Sequence, residues 1–243
     1  MLKTLFKILI LFGFLAYLIY AVTMLRKDEP SQECTGLNIV INDAPQAGFI
    51  TENEVRQLLV NKKLFPEREP LDQIDLVQLE SALLTSPYID KVLCYKTAEG
   101  QISIQITPRQ PVLHVLNQEG DDFYIDDQGA TMPRGHHNVD LIVMTGNVPR
   151  ATAGKRYHKL GDILRRDSFW NSQIQEIHVT AQGELQVTPT VGEHTIILGD
   201  TSCIQDKLSR LRTFYTEGLD KAGWNLYRTI NLTFDNQIVC TKR

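Results

Sequence analysis

The longest apolar run stands near the start of the chain. "ILILFGFLAYLIYAVTML", residues 8–25, carries no charge. Wound as a helix at ~1.5 Å per residue it matches the ~30 Å hydrocarbon core of a bilayer, so it predicts a transmembrane helix after a short tail at residues 1–7. Tyr17 and Tyr20 fall in its outer half, where an interfacial aromatic belt is expected. The run is longer than a usual signal-peptide core and no A-x-A-like cleavage site follows, which favours an uncleaved anchor. Lys3 and Lys7 before it balance Arg26 and Lys27 after it, so charge bias does not set the orientation.

After the run the pattern changes to polar residues broken by Pro30, a tether over 26–36. "LNIVIN" (37–42) alternates as a strand does. Thr51 and Glu54 make a capping-box pattern ahead of Val55, Leu58 and Leu59, which share a helix face. Asp75 announces a second helix, with Leu76, Leu79 and Leu83 at helical spacing and Pro87 closing it. "YIDKVLCY" (88–95) and "QISIQIT" (101–107) predict two strands joined by a turn at Glu99 and Gly100. Strand, helix, helix, strand, strand is a compact α+β unit over 37–111.

From residue 112 to 243 short strands dominate. "FYIDDQGATMP" (123–133), "VDLIVMTGN" (139–147), "IQEIHVT", "GELQVTPT" and "HTIILGD" predict strands, the last three turning at Gly183 and Gly192. A helical stretch lies near 160–170, and a second helix places Ile204, Leu208, Leu211 and Tyr215 on one face. The tail predicts a hairpin: strands over 229–234 and 238–242 about a tight turn at Asp235 and Asn236. A strand that is last in sequence often lies at a sheet edge, where unpaired N–H and C=O groups accept another chain's strand. The alternative is an internal or blunted strand, and Lys242 and Arg243 are typical blunting residues.

Composition adds limits. The chain has 243 residues, 42% apolar, enough for one large or two small folded domains. A net charge of -4 without Lys/Arg clusters argues against nucleic acid as a partner. Cys34, Cys94, Cys203 and Cys240 are scattered without C-x-x-C spacing, so zinc is not expected, and three disulfide pairings stay open in an oxidising compartment. No nucleophile elbow, phosphate-binding loop or H-E-x-x-H occurs, and no cofactor or small-molecule substrate is expected. Asp126 and Asp127 suit a turn beside Gly129 better than a catalytic pair, since adjacent strand residues point to opposite faces. His136 and His137 suit a solvated Gly/Pro loop. Asn231 begins a formal glycosylation sequon inside strand sequence.

The first unit resembles a POTRA domain in its element order, in "SPYIDKV" (86–92) and in "RQPV" (109–112). The second resembles the β domain of the FtsQ/DivIB cell-division family, through Tyr124, Asp126 and Gly129, then Thr145 and Gly146, then "LGD" (198–200) ahead of an amphipathic helix and "INLTF". The resemblance implies a non-enzymatic scaffold: a single-pass inner-membrane protein with its N-terminus cytoplasmic and its domains periplasmic, recruiting FtsB/FtsL-like proteins at the septum. It also implies that the final strands receive a partner strand. The residues placed there are Thr233, Phe234, Asp235, Asn236, Ile238, Val239, Cys240, Thr241 and Lys242. Thr233 stands where many relatives carry Arg, which removes a charge-assisted pair. Charged residues at Phe234 or Ile238, or Pro at Val239 to remove an edge donor, are expected to end partner capture. Two rival readings are a POTRA-bearing export or assembly factor and a membrane-tethered cell-wall enzyme. The first would normally continue into a membrane barrel, and no run of alternating barrel strands follows. The second needs a convergent polar cluster.

Overall fold

The computed structural model describes residues 2–25, 32–42, 49–135 and 139–243, with side chains in the first helix described over 10–24. His136 and His137 lie outside the described residues. The expected apolar run falls in helix α1, Leu2–Leu25. Its described large side chains are exposed, among them Leu11, Phe12, Phe14 and Tyr17, and the Thr23 hydroxyl donates back to the carbonyls of Ile19 and Tyr20. Among the described residues no helix is long and apolar enough to cross a membrane. The span expected over 8–25 is not found among the described residues, which for side chains begin at Ile10.

The chain divides into two compact units, Met1–Val40 with Glu52–Leu83 and Val92–Gln105, and Ile41–Thr51 with Leu84–Lys91 and Ile106–Arg243. After α1 the order is β1 (Gly36–Ile41), α2 (Glu52–Asn61), α3 (Leu76–Leu83), β2 (Ile89–Lys96) and β3 (Gln101–Pro108), as the pattern predicts. The strands form one sheet in the order β1-β3-β2. Asp75 caps α3, its Oδ1 accepting from the backbone N–H groups of Val77 and Gln78 at 3.0 and 3.1 Å. Of the residues that the periodicity singles out, helices α2 and α3 bury Val55, Leu59, Leu79 and Leu83, while Leu58 and Leu76 are half-buried. The predicted tether is shorter than 26–36, because its last residues are held by the backbone: Cys34 N–H donates to Glu69, Leu71 N–H to Gln32, and Thr35 N–H to Gly100.

The second unit carries a nine-stranded sheet. Its strands are β4 (Pro111–Asn117), β5 (Asp122–Asp126), β6 (Thr131–Pro133), β7 (Val143–Gly146), β8 (Ile174–Val179), β9 (Leu185–Pro189), β10 (Thr195–Gly199), β11 (Tyr227–Asn231) and β12 (Val239–Lys242). They lie in the order β12-β11-β10-β9-β8-β7-β4-β5-β6. The pairs β4–β7, β7–β8 and β10–β11 are parallel and the others antiparallel, the predicted mixed, mostly antiparallel arrangement.

Helices α4 (Arg150–Arg166), α5 (Ser168–Gln173) and α6 (Ile204–Thr213) cover one face. The chain continues from α6 through a π-helical turn at Phe214–Leu219 into α7 (Asp220–Ala222). Tyr157, Leu160, Leu164, Trp170, Leu208, Leu211 and Tyr215 pack there on Val115, Met144, Ile177, Val187, Ile196 and Ile230. Because strand side chains alternate, the opposite face carries the half-exposed and exposed residues Thr145, Glu176, His178, Gln186, Thr188 and Thr241. Helix α4 starts ten residues before the predicted helical stretch near 160.

Candidate functional site

The motifs that carry the family resemblance turn out to be points of close backbone approach. At Gly129, φ is +85°, and the turn it makes between β5 and β6 rests on Gly154 of α4. A Cβ on Gly154 would lie 2.8 Å from the Gly129 carbonyl carbon, closer than any real Cβ contact, so both positions have to be bare. Gly146, at φ +87°, similarly brings the end of β7 under the Val179 carbonyl.

Asp126 is the turn residue expected, and it does more than turn the chain. Its Oδ1 accepts from the N–H groups of Gln128 and Ala130 at 3.0 and 2.6 Å, while its Oδ2 accepts from Arg109 Nη1 at 2.8 Å. The carboxylate is 1% exposed and Arg109 25%. Removing one partner of a buried ion pair leaves the other without compensation. Arg109→Met is therefore expected to destabilise the second unit by about 3 kcal/mol, read from the urea midpoint. Asp127, next to Asp126, is pushed up by burial and by the Asp126 charge; nothing brings the two together as an acid/base pair.

The C-terminal strands form the feature on which the functional reading turns. Strand β12 stands at one end of the sheet order, with β11 as its neighbour. Its register pairs Asn231 with Val239, Ile230 with Cys240 and Thr229 with Thr241. The direction of each backbone group follows from two bonds. Leu232 N–H donates to Ile197 of β10, so by alternation Ile230 also faces β10 while Asn231 and Thr229 face β12. Arg243 N–H donates to Leu226, which by the same alternation turns Thr241 and Val239 toward β11. The N–H and C=O groups of Cys240 and Lys242 consequently point away from the sheet. This corrects the expectation for Val239: a proline there removes a donor inside the ladder, and Cys240 is the position where it removes an outward one.

The hairpin also differs from its prediction. Strand β11 ends at Asn231, whose Oδ1 accepts from the N–H and hydroxyl of Thr233 at 2.9 and 2.7 Å, a local turn that draws the chain out of the ladder. The connection runs over residues 232–238 with Asn236 in the left-handed region at φ +56°. Phe234, Asp235 and Asn236 therefore lie in a loop rather than in a strand or two-residue turn, and Phe234 is 46% exposed. Val239, 43% exposed, and Thr241 share the open face with Asn231, whereas Cys240 and Ile238 turn toward the helices and pack at the margin of the core. A cavity of about 490 Å³ opens there, between Phe214 and Gly218 of the π-helical turn and Gln237 and Ile238 of the connection.

Sequence reasoning missed what holds this edge. Arg210 of α6 donates from Nη1 to the carbonyls of Phe234 and Gln237, both at 2.9 Å, and from Nη2 to that of Leu232 at 3.4 Å. At the far end of β12, Arg243 donates to the Glu193 carboxylate at 2.6 Å and to its carbonyl at 3.0 Å. Arg243, expected as a blunting charge, is thus folded back on the loop before β10. Arg210 sits in a helix pattern whose only visible signal is its apolar face, and nothing in that pattern points to a loop more than twenty residues on.

Next to Glu193, His194 is buried and shares a 2.7 Å hydrogen bond between its Nε2 and the Tyr215 hydroxyl. Burial holds its imidazole below the ordinary 6.5; the Trp224 backbone opposes this and the Arg243 charge adds to it. A depressed histidine stabilises the fold fully above the unfolded value, and the contribution is lost as pH falls below about 6.5 toward the folded one. Urea midpoints of the wild type should fall on going from pH 7.5 to 5, by at most about 1.4 kcal/mol per pH unit from this group. His194→Gln should flatten that slope.

All four cysteines are free: Cys34 and Cys94 buried, Cys240 partly so, Cys203 exposed. Burial first, then the Glu80 charge, pushes the Cys94 thiol up to about 12, which keeps it protonated. Among the described residues no group of His, Cys, Asp and Glu is arranged to hold a metal ion.

Two family models match the chain. One, described as a POTRA-like domain, covers residues 32–107, which take in the first five elements after α1 except for the last residue of β3. The other, described as FtsQ/DivIB, C-terminal related, covers residues 110–241, more than half of the sequence. Among curated proteins none matches this chain. With a POTRA-like fold preceding a β domain in which Gly129, Gly146 and the buried Asp126 are structurally accounted for, the chain belongs to the FtsQ/DivIB family of cell-division proteins.

Proposed function

We propose that this protein is a non-enzymatic scaffold of the division machinery that gathers an FtsB/FtsL-like pair at the septum by accepting one of its strands along β12. Support for this comes from one observation above the others: β12 closes the sheet order and turns the N–H and C=O groups of Cys240 and Lys242 outward. An incoming strand would pair with those groups, and its side chains on the helix side would meet the cavity beside Ile238. Thr233, engaged with Asn231, leaves partner choice to backbone pairing and to the exposed Phe234 and Val239.

Anchorage in the inner membrane, with the N-terminus cytoplasmic and the two units periplasmic, belongs to the same proposal. The charge-free run over 8–25 and the exposed apolar surface of α1 favour it, since soluble domains rarely leave a contiguous apolar surface of that kind uncovered.

Co-purification of the detergent-solubilised chain with the FtsB/FtsL-like pair of its own host tests the reading, with Cys240→Pro as the comparison. Depletion adds a second arm: undivided filaments accord with a division scaffold, outer-membrane assembly defects with an export factor. Turnover of wall fragments by the purified chain would overturn the non-enzymatic assignment.

A further inference from the structure

The open edge is a strand of only four residues following a seven-residue connection. A short edge strand on such a connection is the part of a sheet most prone to fray, and a frayed acceptor must be ordered at the moment of binding. Here both ends are tied. Arg210 gathers three carbonyls of the connection, those of Leu232, Phe234 and Gln237, and Arg243 fixes the other end on Glu193. Asn236, in the left-handed region, lies between two of the carbonyls that Arg210 holds.

We infer that Arg210 is a positioning residue for strand capture: its guanidinium holds the β11–β12 connection so that β12 is already extended when a partner strand arrives. The inference rests on the edge-strand reading above. The chemistry requires a guanidinium. Its planar fork reaches carbonyls on both sides of the loop, whereas an ammonium is a single point with no matching spread. Carbonyl oxygens also suit it without a carboxylate partner, because α6 presents Arg210 to a loop whose acceptors are otherwise at the surface. Affinity gained in this way comes from ordering in advance of binding rather than from contact with the partner.

The test uses the full chain in detergent, the host's FtsB/FtsL-like pair as probe, and Arg210→Met beside the wild type. Capture is measured as affinity, and hydrogen exchange is followed at the inward amides of Val239 and Thr241, with Ile177 and Val187 in the sheet centre as controls. The expected result is capture weakened about tenfold and exchange at Val239 and Thr241 faster by a similar factor, with the controls unchanged. A merely structural role would move the controls as well. Arg210→Lys, which keeps the charge and the stem, serves if Arg210→Met fails to fold, and should also lose most of the effect. Unchanged exchange at Val239 and Thr241, or wild-type affinity in well-folded variants, overturns the inference. Equal binding of the pair to wild type and Cys240→Pro instead overturns the edge reading, and with it a role for Arg210 in capture, while the exchange data still report separately on the clamp.

Discussion

Cys240→Pro is expected to abolish capture of the partner strand while leaving the second unit folded. The substitution deletes an N–H that points away from β11, so the ladder between β11 and β12 keeps its bonds, and the ring stands where the incoming backbone would have to approach. Val239→Pro is the contrasting control. It removes a donor directed at Asn231 and should release β12 from the sheet, detected as rapid exchange at Thr241. Loss of capture in both variants, with the ladder intact only in Cys240→Pro, assigns the effect to the edge itself. Full binding by a folded Cys240→Pro protein would mean that the partner engages some other surface.

The second large effect concerns stability. Gly154→Val should destabilise the second unit by about 3 kcal/mol or more, lowering its melting point by roughly 10 °C. The reason is that the obstacle is backbone: a Cβ at 154 meets the carbonyl of Gly129, which cannot rotate away. Relief requires α4 to lift from the turn that Asp126 and Gly129 build, and that exposes Tyr157 and Leu160 on the same helix face. Differential scanning calorimetry of the purified chain checks this. An unchanged melting point would show that the close packing of α4 on the turn is not required.

Much of this fold was legible before any coordinates. Strands betray themselves through period-two alternation and helices through capping residues such as Asp75, whose side chain does bond the first turn of α3. Helix α4 was legible only in its second half, for a physical reason. Its beginning follows Pro149 without a side-chain cap and contains Gly154, a residue that disfavours helix but is needed there for close approach. The tight hairpin at Asp235 and Asn236 was misplaced because Asn231 and Thr233 end the strand early through their own hydrogen bond, a competition that alternation cannot register. Of the residues placed at the edge, Ile238, Val239, Cys240, Thr241 and Lys242 belong to β12 or directly precede it, and Thr233, Phe234, Asp235 and Asn236 belong to the connection. Arg210 and Glu193 escaped notice because their partners are remote in sequence.

The parallel pairing of β10 with β11 carries a consequence of its own. Two parallel neighbours cannot be joined by a turn, so the chain must first leave through α6, the π-helical stretch and α7 and come back. Closing that excursion is entropically slow, and β12 has no template until it is closed. Strand β12, whose one neighbour is β11, can join the sheet only after β11 has docked on β10. A copy in which that excursion has not closed lacks β11 and β12 and leaves the edge of β10 unpaired in their place.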